Sequence, residues 1–129
     1  MYKELVICII IIIGILVLNT ITENFTHESV SSLTDQLIGL RNEITEENIE
    51  KDEIKAKVNN IYSNWNDKYN VLAYYIEHNE LEKVETNLVL LLSAIETGEY
   101  SDAVAKLNED IFVLKHIQEK NSFDFKNIF

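Results

Sequence analysis

The stretch from Leu81 to Ile117 reads LEKVETNLVLLLSAIETGEYSDAVAKLNEDIFVLKHI. Apolar residues recur at Leu81, Val84, Leu88, Leu91, Leu92 and Ile95, and then again at Val104, Leu107, Ile111, Leu114 and Ile117. Steps of three and four residues place each set on one face of an α-helix. Gly98 interrupts the pattern and supplies a left-handed residue to end the first helix. Ser101 is then expected to cap the next one. Only Gly98 to Tyr100 link the two, so they must lie as antiparallel neighbours. Just upstream, Asn79 followed three residues later by Glu82 resembles a capping box at the start of the pair.

Two further stripes precede this hairpin. Val30, Leu33, Leu37, Leu40 and Ile44 form one, and Ile54, Val58, Ile61, Trp65, Tyr69, Leu72 and Ile76 form the other. Thr45 or Asn48 is a candidate cap for the second of these. Asn64-Trp65-Asn66-Asp67 has weak helix propensity, which predicts a bend or break between residues 64 and 71. Proline is absent and glycine occurs three times, too few turn residues for a β-sandwich or barrel. The composition therefore predicts an all-α protein, with a small antiparallel four-helix bundle over residues 23–129. A partial likeness of GEYSDAVAKL to a tetratricopeptide helix start has no second copy at the spacing a repeat array needs.

The chain begins differently. Leu5 to Leu18, LVICIIIIIGILVL, contains fourteen apolar residues and no charge. A cleaved secretory signal would need small residues before its cleavage point, and Asn19-Thr20-Ile21-Thr22 offers none of that pattern. Residues 2–22 as a helix would measure about 31 Å, close to the hydrocarbon thickness of a bilayer. Tyr2 and Lys3 suit one interface, and Asn19-Thr20 the other. Residues 1–22 thus read as a retained single-span transmembrane anchor, from which the following helix leads directly out of the bilayer as a stalk. Lys3 and the terminal amine lie before the span, and no Lys or Arg follows until Arg41. Positive charge predicts a cytoplasmic N-terminus and an extracytoplasmic body in the cell membrane. Cys8 sits in mid-run between isoleucines, which argues against lipidation, and a lone cysteine forms no intramolecular disulfide.

Net charge is −11. Such a surface repels phosphate backbones and argues against nucleic-acid binding. No candidate catalytic residue, metal ligand or cofactor site emerges. None of His27, His78 and His116 has a glutamate three residues before it, as di-iron bundles use, and no two are spaced for zinc on one helix. Glu46, Glu47, Glu50, Asp52 and Glu53 lack the glycine and alternation of a calcium loop and read as solvated surface. The distinctive feature is aromatic: Tyr62, Trp65, Tyr69, Tyr74 and Tyr75 fall within fourteen residues, followed by His78. Trp65 and Tyr69 share the core stripe. Tyr74 and Tyr75 point in different directions, so at least one is expected to face outward. Trp65, Tyr69, Tyr74, Tyr75 and His78 are therefore the candidate partner-binding residues, because aromatic side chains anchor protein interfaces. The tail, with Phe123, Phe125, Ile128 and Phe129, is expected to pack back on the bundle.

The apolar run, Trp65, YIEHNELEKVETNLVLLLSAIETGEYSDAVAKL and the closing LKHIQEKNSFDFKNIF together resemble the domain of unknown function 4363 family of short, membrane-anchored helical bacterial proteins. That family often has His-Ile-Pro-Glu where this chain has His116-Ile117-Gln118-Glu119, a departure bearing on where the last helix stops. The resemblance implies fold and location, carries no enzymatic activity, and, through neighbouring multi-spanning proteins, implies a membrane partner. The expected function is that of a non-enzymatic accessory module for a membrane or envelope protein. The alternative is an extracytoplasmic sensor holding a small molecule or cation between helices near Trp65 and His78.

Overall fold

In the computed structural model, residues 1–46 and 50–128 are described, the last eight of them by backbone alone. Four helices follow one another: α1 (Tyr2–Thr45), α2 (Lys51–Leu72), α3 (His78–Glu96) and α4 (Tyr100–Ile128), with no strand among the described residues. The chain is an all-α protein, a long apolar first helix leading into a helical bundle. Each stripe read from the sequence becomes part of one core. Val30, Leu33, Leu37, Leu40 and Ile44 of α1 are buried against Ile54, Val58, Ile61, Trp65 and Leu72 of α2 and the apolar faces of α3 and α4. Tyr69, Leu92 and Val104 pack half-buried at its edge, and Ala103 joins it.

Each helix packs on two others, α1 on α2 and α4, and α3 on α2 and α4. Cross-links give the directions. Glu77 pairs with Lys120 and Glu80 with His116, while Lys55 pairs with Glu96 and Tyr62 bonds Glu85. Numbers that rise on one helix fall on its neighbour, so the bundle runs up, down, up, down.

The α3–α4 turn closes as expected at Gly98, which has φ +73°. Glu99 N–H donates to Ala94 O at 2.8 Å and Gly98 N–H to Ile95 O at 3.2 Å, the paired bonds of a Schellman motif. Helix α4 begins one residue early, at Tyr100, so Ser101 lies within its first turn. At the other hairpin the expected capping box does not form. Helix α3 starts at His78 after an extended Glu77 with no side-chain cap bond, and Asn79 is already inside the first turn. The reason lies upstream. Tyr75 and Ile76 N–H groups bond to Leu72 O, at 3.1 and 2.9 Å, folding the chain tightly enough to bury Ile76 and bring Glu77 round as the first helical acceptor. Ile76 thus serves the core from a turn, one step beyond the end of α2.

The bend predicted between 64 and 71 is absent; α2 is helical throughout. The magnitudes explain this. Asn64, Asn66, Asp67 and Asn70 each cost the helix about 0.7 kcal/mol or less relative to alanine. Burying Trp65 alone removes roughly 150–250 Å² from water, about 4–6 kcal/mol. Thr45 belongs to α1 and its hydroxyl donates to Asn42 O at 3.0 Å, while α2 begins after Glu50 with no side-chain cap. Asn48 lies outside the described residues, as do Glu47 and the side chains of Phe123, Phe125, Ile128 and Phe129. With Gln118 in place of a proline, α4 keeps the amide a helix needs and runs unbroken to Ile128.

Helix α1 has two halves. From Thr26 onward it contributes a face to the bundle, so the predicted stalk is a packed member from its first buried turn. Before that, Leu5 to Ile21 remain exposed. This helix is long and apolar enough to cross a membrane, and none of its apolar window is buried within the protein.

Candidate functional site

The aromatic group splits. Trp65, on the inner face of α2, is 3% exposed and belongs to the core. Tyr62 and Tyr69 lie half-buried beside it. Burial, followed by the nearby charges of Glu85 and Glu82, raises the Tyr69 phenol above its usual range. Tyr74, in the turn beyond α2, is 82% exposed. Tyr75, in the same turn, donates its hydroxyl to Asn19 O at 3.3 Å, with Asn19 Oδ1 at 3.4 Å. His78 is exposed on the first turn of α3, its Nε2 2.9 Å from Glu82 Oε1. The five predicted residues therefore form no common concave site: Trp65 and Tyr69 stabilise the interior, while Tyr74, Tyr75 and His78 gather at the end of the bundle that adjoins the apolar half of α1.

A groove that the sequence reading missed opens between α1 and α2. It encloses about 210 Å³ and is lined by Gln36, Gly39, Leu40, Glu43, Lys57, Asn60 and Ile61. Gly39 leaves its floor bare, since a Cβ built there would meet nothing within 4 Å. Lys57 Nζ reaches both carboxylate oxygens of Glu43 at 2.8 Å across one end. That pairing holds the ammonium pKa above its usual value. Deeper, the Trp65 indole N–H has no hydrogen-bond partner. A small cleft beside the ring, about 30 Å³ and flanked by Ser29, Ser32, Gln36 and Asn64, is of a size to hold one water.

The second missed feature is Asp110 on α4. It is 1% exposed, and no hydrogen bond of ordinary geometry reaches either carboxylate oxygen. Desolvation pushes its pKa from 3.8 up to about 8, with the neighbouring Asn87 amide of α3 drawing it partway back. At neutral pH the group is mostly the neutral acid, the form that a dry interior tolerates. The periodicity held a signal: Asp110 stands three residues after Leu107 and one before Ile111, at the margin of the core stripe.

The sequence model of a family described as a domain of unknown function, DUF4363, matches residues 20–128. The chain belongs to the DUF4363 family. No curated protein and no solved structure matches it. The family match begins where the exposed apolar run ends, so the DUF4363 region coincides with the bundle and its entry turn. Among the described residues of this DUF4363 protein, no three His, Cys, Asp or Glu side chains come together as a metal ion would require. Glu46, Glu50, Asp52 and Glu53 stand separately exposed around the start of α2.

Proposed function

We propose that this DUF4363 protein is a non-catalytic accessory module, held by a retained single span with its N-terminus in the cytoplasm and its bundle outside, serving a membrane or envelope protein. One observation carries the reading: the apolar run Leu5 to Leu18 of α1 is exposed yet continues, without a break, into the helix face buried from Thr26 onward. A bare helix of that length finds its cover in hydrocarbon. Removal by a signal peptidase would need small residues before the cleavage point, and Asn19 to Thr22 offers none of that pattern. Orientation rests on Lys3 and the terminal amine.

The test has two parts. Membranes washed with alkaline carbonate should retain the full-length chain, and protease added to intact cells should digest the bundle. Mature protein starting after residue 20 in the medium, or a bundle resistant until the cells are broken, would refute the assignment. Photo-crosslinkers at Phe112 (74% exposed), Leu90 and His78 should then trap one defined protein in native membranes.

A second reading is favoured by the α1–α2 groove: a sensor binding a small polar ligand or cation beside Glu43, Lys57 and Asn60. Its volume is below the usual range for drug-sized ligands, which limits the occupant to a small molecule. A thermal shift of the isolated bundle by such a ligand, abolished by Gly39→Leu, with no protein trapped by the crosslinkers, would select the sensor.

A further inference from the structure

The contact between Tyr75 and Asn19 fixes a height. Asn19 lies three residues inside the end of the proposed span, and the Tyr75 hydroxyl bonds its carbonyl oxygen. The α2–α3 turn, Ala73 to Glu77, therefore reaches down to the level at which α1 leaves the hydrocarbon. Helix α4 descends to the same level on the other side. Arg41 Nη1 donates to Asn108 Oδ1 at 2.9 Å, which sets the register of these antiparallel helices. With equal rise per residue, Ile128 comes level with Ile21 of α1, to within a turn. The segment so placed, Asn121 to Ile128, includes Phe123, Phe125 and Ile128.

We propose that this end of the bundle, with Tyr74 as its exposed aromatic and the last two turns of α4 beside it, is seated in the lipid headgroup layer. The inference rests on the retained span. Tyrosine is enriched at that depth because its ring is apolar and its hydroxyl is not. Tyr74 is so exposed that nothing in the chain covers its ring, and it sits one residue from the side chain that bonds the span. Charge is arranged compatibly. Glu77 is paired with Lys120, which keeps its carboxylate ionised to lower pH than usual, so the turn carries a neutralised pair where a bare acid would be repelled by anionic lipid. The immersion is thus driven by the exposed Tyr74 ring. Its consequence is that the bundle stands upright against the bilayer, its α3–α4 turn farthest away.

The experiment uses the full chain in phosphatidylcholine bilayers, with and without phosphatidylglycerol. Single spin labels are placed by Tyr74→Cys, Glu99→Cys and Ile10→Cys, each in a Cys8→Ser background because Cys8 is free and exposed. Accessibility to lipid-soluble oxygen and to a water-soluble nickel complex reads the depth of each. The proposal expects Ile10 in hydrocarbon, Glu99 fully in water, and Tyr74 at headgroup depth, with nickel access several-fold below that at Glu99 in both lipid mixtures. A Tyr74 label as accessible as Glu99, while Ile10 remains in hydrocarbon, would overturn the seating and leave the span intact. An Ile10 label in water would overturn both. A Tyr74 label that is aqueous in pure bilayers and shielded only in native membranes would assign this end to a protein partner and refute the lipid contact. Tyr74 contributes little to the core, so the substitution leaves folding unchanged.

Discussion

The α3–α4 hairpin and the α1–α2 pair solve one packing problem to different standards. The first is joined by three residues, Thr97 to Glu99, and closes so completely that Asp110 is sealed away from water with the Asn87 amide as its polar neighbour across the seam. The second is the loosest of the four helix pairs and leaves a groove in which Glu43 and Lys57 meet half-exposed. Both stripes are equally apolar at their centres. The difference lies at their margins. Gln36 and Asn60 flank the α1–α2 seam with their amides exposed to water, and Gly39 has no side chain, so none of the three fills the space between the helices.

Core truncations should expose that contrast most strongly. Leu114→Ala, at a fully buried site of α4, is expected to lower unfolding free energy by about 3–5 kcal/mol in chemical denaturation. Leu40→Ala, at the groove, should cost nearer about 2 kcal/mol, since its cavity merges with space already open to solvent. Equal losses would mean the groove is closed in solution.

Asp110 comes next. Its folded pKa lies above its unfolded value, so the folded state binds the extra proton. Its stability contribution is fully present below about pH 4 and is lost as pH rises to about 8. Asp110→Asn should flatten that part of the stability–pH profile and, at pH 8, stabilise the bundle by about 1–3 kcal/mol. A wild-type profile that is flat between pH 4 and 8 would show that water reaches this carboxylate.

Two glycines give the smaller effects, with opposite signs. Gly98→Ala places a Cβ on a left-handed residue and should cost about 1 kcal/mol. Gly39→Ala adds a methyl in open space on a helix and should raise stability by about 0.5–1 kcal/mol. Thermal melts of the pair resolve both shifts, and a loss at Gly39 would mean that α1 and α2 approach more closely than the groove implies.

The helical faces were legible because burial repeats with the helix period, and Val30 to Ile44 or Leu107 to Ile117 needed nothing more. Details governed by competition between local and distant forces were not. Asn79 has the chemistry of a cap, but the turn that buries Ile76 starts α3 before Asn79 can act as one. The asparagines around Trp65 favour a break, but the indole's burial outweighs them. The aromatic cluster was visible as composition, yet its division between the interior and the bundle end beside the apolar half of α1 depends on where α2 stops, which propensity leaves open. The groove depends on how two helix margins meet, and so has no signature in either stripe alone.

Helix α1 spans 44 residues without a hinge, and about 36 Å of it rise beyond Ile21. Were its lower part in lipid, as proposed, such a rod would act as a lever whose angle answers to bilayer thickness. A lean of about 20°, ordinary for a span longer than the hydrocarbon it crosses, would carry the far tip sideways by about 12 Å. Because the same rod forms one wall of the bundle, a tilt of its lower half in the proposed span would carry the α1–α2 seam and the α3–α4 turn with it.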